Sequence, residues 1–314
     1  MSAYSAEALI ECHHKIAPFV HRTPVMRSSL LDRMSGAELY FKCENFQKAG
    51  SYKIRGATHA LLVKKEAGDL RGIVTHSSGN FAQALSLAAR NIGVPAYIVM
   101  PESAPEVKKR GVREYGGQII ECAPTLEARE SEARRIQMET GAEFIHPSND
   151  PWVMLGQGTA CKELLEDVGD LEIVVAPVGG GGLLGGTALS ASFFGRECTP
   201  VGAEPLVVDD AYRSLKEGRI LGNTSTETIA DGLKTVLGTY TFPVLQQHVK
   251  TIVRVTEGEI VQAMRLVWER MKIVIEPSSA VALAAVLKDP EQFAGKKTGI
   301  IISGGNVDLG KLPF

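Results

Sequence analysis

Lys53 stands in Ser51-Tyr52-Lys53-Ile54-Arg55-Gly56-Ala57, among small and apolar residues, where a helical stretch begins. Most lysines in such a place are solvated surface charges. Burial beside apolar neighbours, near a helix N-terminus, would instead lower the amine's pKa toward the range of a nucleophile and base. A second candidate is Pro177-Val178-Gly179-Gly180-Gly181-Gly182-Leu183, which follows an apolar strand pattern and opens a helical one. The absent side chains let an anion reach backbone amides and a helix N-terminus, the context that holds phosphate. The plainer reading is a glycine turn that lets strand and helix pack closely. No Gly-Lys-Ser/Thr follows, so this is not a P-loop; Glu204 lies only loosely where a dinucleotide fingerprint needs its acid.

Ser77-Ser78-Gly79-Asn80 joins another apolar run to a helix expected to begin near Phe81. Its side chains can simply cap that helix; alternatively, hydroxyls and N-terminal amides receive a carboxylate there. Ile300-Ile301-Ile302-Ser303-Gly304-Gly305-Asn306 ends a buried strand in a serine and a glycine turn. A lysine, a phosphate cradle and a carboxylate cradle together describe an enzyme that binds a phosphorylated aldehyde cofactor through its lysine, as pyridoxal phosphate (PLP) enzymes do. Ser303, facing a pyridine nitrogen, would make the ring a milder electron sink than a carboxylate partner would. A carbanion at Cα would then tend to expel a β-hydroxyl.

The elements that position these residues alternate. Short apolar runs bounded by turn residues interleave with helical patterns, the mark of βαβ units around a parallel sheet, so the class is α/β. Expected strands are 72–76, 95–100, 118–121, 172–177, 200–204, 251–255 and 298–302, most of them continuously apolar, as when both sheet faces are covered. Between residues 258 and 271, Ile260, Met264, Val267, Trp268 and Met271 share a helical face, with Thr256 and Glu259 as a capping box. Three βα units over 72–149 form a block of their own. They imply a small lobe (72–149) inserted in a larger one built from 1–71 and 150–314.

Composition narrows the partners. A chain of 314 residues with a formal charge of -2 offers no basic field for nucleic acid or an anionic membrane. Without a run of ~18 apolar residues or a secretory leader, a cytosolic protein is expected, acting on small molecules or pairing with copies of itself. Cys12, Cys43, Cys122, Cys161 and Cys198 are dispersed, with no Cys-x-x-Cys, which suits reduced, buried thiols rather than disulfides or zinc ligands.

Taken in order, SYKIRGA, SSGN, PVGGGG and SGGNVDL resemble the serine racemase and serine/threonine dehydratase family of fold type II PLP enzymes, over nearly the whole chain. HRTPV, LVWERMK and EPSSAV resemble its serine racemase and 3-hydroxyaspartate dehydratase branch. The resemblance implies a tryptophan synthase β-like fold of two open twisted sheets with flanking helices, and a homodimer. It implies that Lys53 carries PLP and takes the Cα proton from an L-substrate, with Ser78 on the opposite face to reprotonate Cα or serve D-substrates. Gly179, Gly180, Gly181 and Gly182 would hold the phosphate, Asn80 the ring hydroxyl and Ser303 the ring nitrogen. Ser77, Ser78, Gly79 and Asn80 would receive the amino-acid substrate, and Arg129 its second carboxylate. Glu204, the Val208 carbonyl and Asp210 match the family's divalent-metal position, suited to Mg²⁺, Ca²⁺ or Mn²⁺.

Phe81 stands where the family often has histidine, and Ser148-Asn149 occupy the loop that usually approaches substrate. Arg129, within Glu127-Ala128-Arg129-Glu130, also reads as a solvated helix charge. The expected activity is that of a lyase, a dehydratase (ammonia-lyase) with 3-hydroxyaspartate favoured over serine or threonine. Alternatives are serine/threonine dehydration, serine racemisation, β-replacement as in cysteine synthase, and a non-catalytic module that binds a phosphorylated metabolite.

Overall fold

The computed structural model describes residues 4–314. Among these residues ten strands form: β1 Val25–Met26, β2 Glu38–Cys43, β3 Ile73–His76, β4 Ala96–Pro101, β5 Gln118–Cys122, β6 Glu143–Phe144, β7 Ile173–Pro177, β8 Thr199–Pro205, β9 Thr251–Val255 and β10 Lys297–Ile302. They build a six-stranded sheet, β1-β2-β10-β7-β8-β9, and a four-stranded one, β5-β4-β3-β6. Apart from β1, antiparallel to β2, every pairing is parallel. Parallel strands need crossovers, and helices fill them on both faces. Val201, Ile300 and Ile302 face the helices Glu257–Met271 and Pro277–Lys288, while Val174, Ala176 and Ile301 face Pro151–Asp167 and Gly182–Phe194. The smaller sheet is likewise packed on both sides.

All seven expected strands form, each within a residue or so of its bounds. The capping box at Thr256 and Glu259 is present. β1, β2 and β6 were not expected: two are only two residues long, and β2 carries Lys42 in its middle, fully buried against Glu163 at 2.7 Å. All five cysteines are buried and free. No helix among the described residues is long and apolar enough to cross a membrane.

Three helices stack backbone to backbone through small residues. A Cβ on Gly156, in helix Pro151–Asp167, would lie 2.5 Å from the Gly56 Cα of helix Lys53–Ala67. One on Gly186, in helix Gly182–Phe194, would lie 2.4 Å from the Met154 carbonyl. Any side chain there would force the helices apart. The lysine and the glycine run therefore sit on the ends of helices locked to a common third.

Candidate active site

Ser303, the glycine run and the Ser77–Asn80 loop all follow the carboxyl ends of parallel strands, namely β10, β7 and β3. In open α/β sheets that is the edge where crevices for ligands lie. Lys53 reaches the carboxyl end of β10, in the six-stranded sheet, by another route. Ser51 bridges to Gly304, and the Tyr52 amide donates to the Ser303 carbonyl at 3.0 Å. The chain then turns into helix Lys53–Ala67, with Lys53 its first residue.

Lys53 is half-buried, not sealed in the core as the sequence reading allowed. Its Nζ donates to the Pro147 carbonyl at 3.2 Å and lies 5.0 Å from the centre of the Tyr52 ring and 5.9 Å from that of Phe81. It makes no ion pair among the described residues, so the amine is held between aromatic rings without a neutralising carboxylate. The neighbouring loop is rigid. His146 Nδ1 accepts the amides of Ser148 and Asn149 at 3.1 and 2.8 Å, which places the ring proton on Nε2. Burial, then His76 and Lys53, push the His146 pKa down to about 4.

At the glycine run, Gly181 adopts φ +84° and precedes helix Gly182–Phe194. The amides of Gly179, Gly180, Gly181 and Gly182 donate to no acceptor among the described residues, as expected where a helix N-terminus is left open. A Cβ at Gly180 would lie 2.2 Å from Ser148 Oγ, and that hydroxyl is buried with no hydrogen-bond partner. Four donor amides and an orphaned hydroxyl around one cradle suit a phosphate; close packing is also real, since a Cβ on Gly179 would lie 2.9 Å from the Leu233 Cα. Close packing and open amides therefore coexist in this run.

The helix after β3 begins at Asn80 rather than Phe81, and Gly79 is its N-cap, with no side-chain cap. Neither serine is spent on capping: Ser77 Oγ accepts the Gly79 amide at 3.4 Å, and Ser78 makes no hydrogen bond among the described residues. Asn80 Nδ2 donates to both oxygens of Glu276, and its Oδ1 accepts from Asn306. Ser303 Oγ lies 2.9 Å from Ser279 Oγ, either able to donate, so a pyridine nitrogen facing Ser303 would meet a hydroxyl rather than a charge. Together these residues fit a phosphorylated pyridine aldehyde. Glu276, Ser279 and Asn306 were not assigned from sequence; their signal was slight, an acid before a proline and a serine two residues beyond it.

Arg129 is half-buried in helix Leu126–Thr140; its Nε donates to the Thr125 carbonyl at 3.3 Å, and it has no acidic partner among the described residues. It is close enough to the end of β3 to add to the burial that lowers the His76 pKa. Glu204 and Asp210 lie apart from this group. Both are buried; Glu204 accepts the Ala211 and Tyr212 amides at 2.9 Å, and Asp210 accepts that of Leu237 at 3.0 Å. Burial holds the Glu204 pKa well above the carboxylate range and pushes that of Asp210 up to about 6. Val208 is buried between them in chain order, and no cluster of three acidic, histidine or cysteine ligands occurs among the described residues.

A family model described as pyridoxal-phosphate dependent enzyme matches residues 16–304. A beta-hydroxyaspartate dehydratase of Paracoccus denitrificans (strain Pd 1222) is 49 % identical over 308 residues, 98 % of each chain. The solved serine racemase of Dictyostelium discoideum superposes with a TM-score of 0.94 at 46 % identity, covering 98 % of this chain and 100 % of that one. The solved serine racemase of maize gives 0.94 at 44 % identity, covering 98 % and 95 %, and a solved threonine deaminase gives 0.92 at 42 % identity, covering 97 % and 99 %.

Proposed function

The chain belongs to the family of pyridoxal-phosphate dependent enzymes, and from that premise we propose that it is a dehydratase acting on 3-hydroxyaspartate: water is eliminated, and hydrolysis of the resulting imine takes a water back to give ammonia and the 2-oxo acid. The observation that carries this reading is a lysine and an arginine in no ion pair among the described residues, with a glycine cradle, set beyond the carboxyl ends of parallel strands of the two sheets, in a chain 49 % identical to a beta-hydroxyaspartate dehydratase.

Bound PLP supplies the electron sink for the pair left at Cα. Lys53, Gly179 to Gly182, Ser148, Asn80 and Ser303 would hold it. Lys53 takes the proton from Cα, its amine engaged in no ion pair among the described residues. Ser78 is the second proton carrier, its hydroxyl uncommitted within the protein. Ser77, Gly79 and the first amides of helix Asn80–Ile92 receive the α-carboxylate. Arg129 holds the distal carboxylate through a fork of charge-assisted hydrogen bonds. The hydroxyl at Cβ then leaves as water, taking the proton that Lys53 removed from Cα.

Racemisation is the second reading, favoured by the uncommitted hydroxyl of Ser78 as a second proton carrier on the face opposite Lys53 and by the similarity to serine racemases. Keto-acid release from L- and D-serine, L-threonine and the 3-hydroxyaspartate isomers separates the readings. Highest kcat/KM on a hydroxyaspartate supports the proposal; highest turnover of serine or threonine overturns its substrate, and serine inversion without keto acid overturns the lyase reading.

The same reading includes a divalent cation, Mg²⁺, Ca²⁺ or Mn²⁺, at Glu204, the Val208 carbonyl and Asp210. Two buried carboxylates, neither in an ion pair among the described residues, support it. Asp210 also anchors the Leu237 segment, and a Cβ on Gly181 would meet Leu237 Cδ2 at 2.9 Å, so the ion would brace the back of the glycine cradle rather than do chemistry. Melting temperature should rise with Mg²⁺ and fall on chelation in the wild type, and do neither in Asp210→Ala. Unchanged melting in the wild type would remove the metal. Residues 72–149 as a small lobe, a homodimer and a cytosolic location complete the reading; light scattering tests the second.

A further inference from the structure

Glu276 precedes Pro277 at the start of helix Pro277–Lys288, yet its side chain caps nothing. Its oxygens accept instead from Asn80 Nδ2, at 2.9 and 3.0 Å. Asn80 Oδ1 accepts from Asn306 Nδ2 at 3.1 Å, and Asn306 in turn donates to the Ala49 carbonyl at 2.8 Å. The Asn80 amide has therefore one allowed orientation, with its nitrogen toward the acid. Space for that acid depends on Gly304, where a Cβ would lie 2.9 Å from Glu276 Oε1.

The carboxylate is 4 % exposed and has no ion-pair partner among the described residues. Three charged groups face it from three elements: Asp231 on the turn Asp231–Leu233, Lys108 on helix Glu106–Glu114, and Lys53. Asp231 and Lys108 are paired with each other, which leaves Lys53 as the unpaired charge. Burial pushes the Glu276 pKa up to about 7; Asn80, Lys108 and Lys53 oppose that rise, and Asp231 adds to it. An acid buried without a counter-ion costs folding stability. Such a cost is characteristic of a functional site rather than of a core.

We propose that Glu276 is a positioning residue: it fixes the amide of Asn80 toward the ring hydroxyl of the cofactor, and its charge sets how strongly that amide donates. This rests on the assignment of Asn80 to PLP made above. When Glu276 is ionised, the bond from Asn80 is charge-assisted; when it takes up a proton, one oxygen becomes a donor and the bond weakens. Lys53 and the Lys108–Asp231 pair hold the balance between these two states.

The test compares wild-type and Glu276→Gln holoenzymes from about pH 5.5 to about pH 9, reading the visible band, kcat/KM and melting. The wild type should show a step near pH 7 in both band and rate. Glu276→Gln should lose the step and about tenfold in kcat/KM at alkaline pH, while Glu276→Asp restores the step. Because the folded pKa is raised, the acid's contribution to stability is present at low pH and is lost as pH rises through about 7. Glu276→Gln should accordingly gain on the wild type in melting as pH rises. Asn80→Ala, which keeps the acid and removes its donor, should move the step to higher pH, and decides the matter if Glu276→Gln does not fold. A step unchanged in Glu276→Gln, or unmoved in Asn80→Ala, overturns the proposal. A wild type with no visible band at any pH would overturn the cofactor assignment instead.

Discussion

Within the first turn of helix Lys53–Ala67, Arg55 points away from the site into a cluster where every charge is matched, whereas half-buried Lys53 and buried Glu276 enter no ion pair among the described residues. Arg55 forks onto Glu44 at 2.8 Å through two nitrogens and onto Glu163 at 2.7 and 2.8 Å. Its remaining reach goes to Thr159 Oγ1 and the His21 carbonyl, both at 3.2 Å. Lys42 binds Glu163 and the Thr23 carbonyl, each at 2.7 Å. Two cations and two anions thus cancel, and the cluster ties β2 and helix Pro151–Asp167 to the helix that bears Lys53. The lesson is that two residues of separation divide a scaffold from a reactive group. Matched charge fixes position, and unmatched charge is kept for a ligand.

Breaking the matched side has the larger effect on the fold. Arg55→Ala leaves Glu44 and Glu163 buried and uncompensated, and should cost about 3–5 kcal/mol in denaturant unfolding. Glu276→Gln, by contrast, removes an unmatched charge and should not destabilise at alkaline pH. Similar losses in the two variants would erase the distinction.

A smaller and more selective effect belongs to Arg129. Arg129→Ala should lower kcat/KM for 3-hydroxyaspartate by about ten- to a hundred-fold, leaving serine turnover within a few-fold. Equal loss on both substrates would make Arg129 structural, or a ligand of the common α-carboxylate.

The sequence carried the unmatched side better than the matched one. Lys53, Ser78 and the glycine run were legible because their types and their places after apolar strands suit anion and amine chemistry. The strands were legible as continuous apolar runs. β2 was not, because Lys42 interrupts its pattern, and only the distant Glu163 makes that burial tolerable. Glu276 was hidden for a similar reason: an acid before a proline at a helix start reads as an ordinary first-turn charge. Its burial depends on Asn80, 196 residues away in the chain. The serines of the Ser77–Asn80 loop were legible as caps or as ligands, and the cap at Gly79 removes the first reading.

Lys53 is set apart from the buried lysines by forming no ion pair among the described residues. Lys42, Lys109 and Lys162 are buried more deeply than Lys53, but each faces a carboxylate: Glu163, Glu121 and Glu166. Borohydride reduction of the PLP-loaded enzyme, followed by peptide mapping, should find the label on Lys53 alone, and Lys53→Ala should lose the visible band after dialysis together with all turnover. Label on any other lysine, or a visible band and turnover that survive in Lys53→Ala, would contradict it.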